Sequence, residues 1–176
     1  RTRTSGYAYR FSSATNSFCT QSSRTMLHRD YLMRQIEQLG QVLARVLFNK
    51  SNGQYGAAVE EIDQAFSNQL GHGLSELRNL SIEDLLNLCR TSEGLSEDLT
   101  LRVADLLYED GKIRANYQED SDGCPSYVRA LALYAEAVIR GDEALPWDIL
   151  QKIERLRTAV DGCDVPEAVS RRLEQV

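Results

Sequence analysis

Apolar side chains recur along most of this chain at intervals of three and four, the period that places them on one face of an α-helix. Between residues 29 and 50, Leu32, Ile36, Leu39, Leu43 and Val46 form one such stripe. Arg34, Gln38, Gln41, Arg45 and Asn49 keep the same spacing two positions later and so occupy the opposite face. Ser51-Asn52-Gly53 reads as a stop, because Asn and Gly tolerate the left-handed cap conformation. A second helix over about 54–70 carries Tyr55, Val59, Ile62 and Phe66. So short a connection predicts an antiparallel helical hairpin. Gly71-His72-Gly73 then ends the second helix.

Further along, Ser81 with Asp84 three residues later forms an acidic variant of the capping box, opening a helix with Leu85, Leu86 and Leu88 inside and ending at Gly94. Ser96 opens the next in the same way, burying Leu99, Val103, Leu106 and Leu107, and Gly111 is expected to break or bend it. The polar loop from Glu119 to Cys124 leads to Pro125, a residue suited to a first helical turn. The helix that follows, about 125–140, buries Val128, Leu131, Tyr134 and Val138. Pro146 is expected to start a sixth helix with Trp147, Ile149, Leu150, Ile153 and Leu156 in or near its apolar face. Pro166 starts a short last one holding Val169 and Leu173. No window alternates as a strand would. The fold class is all-α, with about seven helices.

Composition changes one part of this picture. Residues 1–25 hold four Arg, many Ser and Thr, and no Asp or Glu. From Met26 onward, 26 acidic side chains face 16 basic ones, a net charge of −10. That step predicts a boundary, with 1–25 an over-extended reading frame, a tag remnant or a disordered extension, and 26–176 a single helical domain. An organellar transit peptide is the alternative for an Arg- and Ser-rich, acid-free stretch. Over the whole chain the net charge is −6, which argues against a nucleic-acid partner needing a basic surface. No apolar run approaches the length that spans a bilayer, so no membrane partner is expected. Cys19, Cys89, Cys124 and Cys163 form no CxxC and are expected to be isolated, reduced thiols of a cytoplasmic protein.

A finer repeat lies within two of the helices. Tyr55, Ala58, Ile62 and Ala65 recur as Tyr127, Ala130, Tyr134 and Ala137 with identical offsets. Alanines seven apart leave a shallow side that a partner helix can approach closely. The run from Gly53 through Tyr55 and Ala58 to Ala65, and again Tyr127 to Ala137, resembles the second-helix signature of tetratricopeptide repeats. The first helices lack the usual Trp and Gly-Tyr, and residues 112–126 interrupt the second copy. The stretch 30–48, DYLMRQIEQLGQVLARVLF, also resembles the opening of a poorly characterised bacterial family of small tetratricopeptide-like helical proteins. That resemblance covers about 26–176 and implies antiparallel hairpins, as a superhelix or a compact bundle, without an established activity.

Candidate chemistry is sparse. An EF-hand frame with Gly123 at its glycine position would use Asp120 and Asp122, but its twelfth position is Arg129 where a bidentate Glu is required. Glu60-Glu61 with Asp63, and Glu97-Asp98, sit in first turns of helices, where acids complement the dipole. His28 and His72 stand apart from any HExxH run. No catalytic, cofactor-binding or metal residue is assigned, and no cofactor is expected. The stripe Arg34, Gln38, Gln41, Arg45 and Asn49 is the candidate partner surface, its two Arg suited to a carboxylate or an acidic peptide. The expected role is a non-catalytic interaction module or small adaptor. A self-assembling structural homo-oligomer, paired along the 32–46 seam, is the alternative, and a small-ligand protein or enzyme stands behind both.

Overall fold

The computed structural model describes residues 18–117, 122–141 and 146–176, with side chains from Arg29 onward. The chain separates into two compact units, Arg1–Met33 and Arg34–Val176. The described part of the first unit is helical, with Tyr31 and Met33 exposed and Leu32 half-buried. Residues 1–17 of the expected extension lie outside the described residues. Helix α1, Phe18–Ser51, therefore starts upstream of Met26 and of the residue-29 start expected from the pattern.

Within the second unit α1 buries Gln35, Leu39, Val42 and Val46, again at four, three and four. Leu32, Ile36 and Leu43 of the expected stripe are half-buried on its flank. The stop after α1 forms as expected, with Gly53 at φ 73°. Helix α2, Tyr55–Leu70, ends on Gly71 in the left-handed conformation. One turn of helix that periodicity does not disclose, α3 (Leu74–Leu77), follows at once. Its start is tied back to α2, since the Asp63 carboxylate accepts the Leu74 N–H at 2.8 Å. Helix α4, Ile82–Leu88, is capped by Ser81, whose hydroxyl accepts the Asp84 N–H at 3.1 Å.

That helix ends at Leu88 rather than at Gly94. Arg90–Thr91 (β1) and Gly94–Leu95 (β2) instead form a two-stranded antiparallel hairpin, a local element that the absence of alternation hides. Gly94, at φ 126°, permits the turn. Eight helices stand among the described residues, and the fold is all-α.

The core lies between α5, Glu97–Tyr117, and α6, Cys124–Arg140. Leu99, Val103, Leu106, Leu107 and Ile113 of α5 are buried, and α5 packs against α6, whose residues from Ser126 to Ala137 are buried with the single exception of half-buried Arg129. Each fully buried side chain of this size contributes about 1.5–3 kcal/mol. Both Tyr/Ala patterns fall on buried stripes, since Ala58, Ile62, Ala65, Ala130, Tyr134 and Ala137 are inside. Helix α5 runs unbroken through Gly111, so the expected break does not occur there. A Cβ there would come within 2.5 Å of the Tyr127 ring, and one on Gly123 within 2.6 Å of the Gly111 carbonyl. The two glycines let the helices meet. Beneath them Asp110, fully buried, accepts from Ser126 Oγ at 2.5 Å and from Arg114 Nε at 2.8 Å.

Helix α7, Ile149–Ala159, starts later than Pro146 predicts. It buries Ile149, Ile153 and Leu156, while Trp147 in the preceding turn is 91% exposed and Leu150 is 56% exposed. Both were expected in or near the apolar face, but Trp147 precedes the helix and Leu150 lies about 100° round from Ile149. Helix α8, Glu167–Leu173, buries Val169. Cys124 and Cys163 form a disulfide with Cα atoms 5.7 Å apart, so these two thiols are not isolated. Cys89 is free and buried. No helix among the described residues is long and apolar enough to cross a membrane.

Candidate functional site

The polar stripe of α1 and the edge of α2 enclose a groove of about 260 Å3. Buried Val42 and Ala65 belong to the two helices' core-facing stripes and line its base. Gln38, Gln41 and Arg45 supply one wall, and Glu61, Gln64, Asn68 and Gln69 the other. Gln35 donates from Nε2 to the Gln69 carbonyl at 2.5 Å, satisfying an acceptor in the last turn of α2.

Three of the five stripe residues are thus brought together. Arg34 is exposed and is not part of the groove lining. Asn49 is half-buried near the end of α1, its carbonyl accepting the N–H of Gln54 at 2.9 Å. The α2 wall escaped the sequence reading, although Glu61, Gln64 and Asn68 repeat at three and four beside the buried Ile62 and Ala65. That spacing was the available signal.

The electrostatics differ from the expected basic face. Arg45 Nε donates to Glu61 at 2.9 Å, so the two charged groups of the groove pair with each other. What remains is a set of five carboxamides: Gln38, Gln41, Gln64, Asn68 and Gln69. Each offers two donor hydrogens and an acceptor oxygen, matching the alternating N–H and C=O of an extended main chain. Gln64 spends one donor on Glu60, at 3.2 Å.

Other polar clusters are closed on themselves. A cavity of about 80 Å3 between α5, α6 and α7 holds Asp105, which accepts from the Tyr134 hydroxyl at 2.6 Å and from Lys152 at 2.7 Å. Burial and then Asp105 push the Tyr134 hydroxyl far above its ordinary range, so it stays a neutral donor. Burial lowers Lys152, but its bonds to Asp105 and Asp148 outweigh that and the net shift is upward. Both donate to the one Asp105 carboxylate. A wider groove of about 470 Å3 near α4, α6 and α8 is lined by Glu83, Glu136, Arg140, Arg171 and Arg172. Arg172 bridges Glu136 at 2.7 Å and Glu83 at 2.6 Å, and Arg140 also pairs with Glu136.

Tyr108 and Tyr117 make ring contacts within the chain. Tyr117 stacks on Tyr55 with ring centres 3.9 Å apart, and Tyr108 lies tilted against Tyr127. Tyr31 is exposed.

No curated protein and no solved structure matches this chain. The groove residues, Gln38 to Gln69, all fall inside the stretch 26–120 that matches the model of a protein family, and by that match over more than half its length the chain belongs to a family of unknown function, DUF6483.

Proposed function

We propose that this protein is a non-catalytic interaction module, a small adaptor of tetratricopeptide-like helical hairpins, that binds an extended protein segment in the groove between α1 and α2. The observation that carries this reading is the meeting of five carboxamides over an apolar base, with the one Arg and one Glu neutralising each other. Walls on two packed helices are largely fixed before binding, which limits the ordering cost. The partner favoured by these groups is a polar, uncharged main chain rather than an acidic peptide. The setting we propose is the cytoplasm of a bacterium, without cofactor, metal, nucleic acid or membrane.

Gln41→Ala combined with Gln64→Ala is expected to weaken capture of the partner about tenfold or more, while the helical circular dichroism signal is kept. Arg34→Glu should leave capture unchanged, since that side chain lies off the groove lining. Equal losses from both changes would point to a partner attracted by charge along the whole stripe.

A second reading is self-association. It is favoured by Leu47 and Phe48, 43% and 65% exposed on α1. It cannot use the 32–46 seam as a whole, because Leu39 and Val46 are already buried within the chain.

A further inference from the structure

The Cys124–Cys163 bond joins the first residue of α6 to the turn between α7 and α8. The elements it connects differ in how firmly they are held. Helix α6 is buried nearly continuously from Ser126 to Ala137. Helix α7 rests on Ile149, Ile153 and Leu156, with Lys152 fixed to Asp105 of α5. Helix α8 contributes one buried apolar side chain, Val169, and the ion pairs of Arg172 with Glu136 and Glu83. A covalent link at the turn between two lightly attached helices controls how readily both leave the core.

Two features suit this bond to reversible use. Both cysteines are only half-buried, within reach of an attacking thiolate. The α5–α6 core, in turn, is complete without the link, and a chain of this length buries an adequate core unaided. Cys89 does not compete for exchange, being fully buried, with burial pushing its thiol up to about 12.

We propose that Cys124–Cys163 is a redox latch on the α7–α8 segment, opened by a dithiol reductant and closed again by a disulfide oxidant. In opening, one thiolate of the reductant attacks a sulfur of the pair, forming a mixed disulfide and releasing the other cysteine as a thiolate. The second thiol of the reductant then attacks the mixed disulfide and frees the first cysteine. Two electrons and two protons pass to Cys124 and Cys163, and the reductant leaves as a disulfide. This inference does not rest on the α1–α2 groove and stands or falls separately from it.

The test compares the full chain after air oxidation with the same protein treated with dithiothreitol at neutral pH. Differential alkylation and peptide mapping follow Cys124 and Cys163 individually. Hydrogen exchange read by mass spectrometry follows each helix. The expected result is a bonded pair in the oxidised protein and, on reduction, exchange in 149–173 at least about tenfold faster, with α5 and α6 unchanged. Glutathione disulfide should restore the slow exchange. Cys124→Ser with Cys163→Ser should exchange at the reduced rate whatever the reductant. The wild-type comparison carries the test even if that variant fails to fold. Free thiols at both positions after oxidation, unchanged exchange on reduction, or equal acceleration in α5 and α6 would each overturn the latch.

Discussion

Glu136 sits 5% exposed on α6, with Arg172 and Arg140 both donating to its carboxylate. Burial alone would raise its pKa, but the hydrogen bonds from the two guanidiniums outweigh burial and hold it below the ordinary carboxylate value of 4.5. A carboxyl depressed in the folded state adds stability that is present above its unfolded value and is lost as pH falls through its folded value. Wild-type protein should therefore lose melting temperature as pH falls below the ordinary carboxylate value, a loss that Glu136→Gln flattens. At neutral pH the same substitution should cost about 2 kcal/mol, because two charge-assisted bonds are weakened at a buried site. Parallel pH profiles for the two proteins would remove Glu136 from the account. The Arg140 partner lies at helical i,i+4 spacing, but the Arg172 partner was not visible in sequence. The partners Glu136 and Arg172 are 36 positions apart, and only the return of α8 onto α6 brings them together.

At the level of elements, legibility followed how local the cause was. The stops at Gly53 and Gly71 were readable because a positive φ is a property of one residue. The α1 wall of the groove was readable from spacing alone, whereas the α2 wall gained meaning only once α2 lay beside it. Gly111 shows the opposite failure, a residue read as a local breaker that acts through packing. Substitution by Ala decides between those roles by sign. In an unconstrained helix Ala would stabilise by about 1 kcal/mol over Gly. Here the added methyl meets the Tyr127 ring, and Gly111→Ala is expected to destabilise by about 1–3 kcal/mol in urea denaturation, with α5 still helical.

For the whole molecule, the apolar seam expected to pair two copies is partly spent inside one, with Leu39 and Val46 buried there. Light scattering should accordingly return the monomer mass of 19.8 kDa with no dependence on concentration. A mass that rises with concentration and reverts in Phe48→Glu would move the reading to self-association through the exposed flank of α1.

The disulfide also gives the chain an unusual response to pulling. Tension applied at its two ends passes from Cys124 directly to Cys163 through the sulfur–sulfur bond. Most of α6 and all of α7 hang outside that line of force as a covalently closed loop. The chain stretched to its limit would stop roughly 130 Å short of the length its residue count allows, because the 39-residue step between the cysteines is bypassed until the bond is reduced.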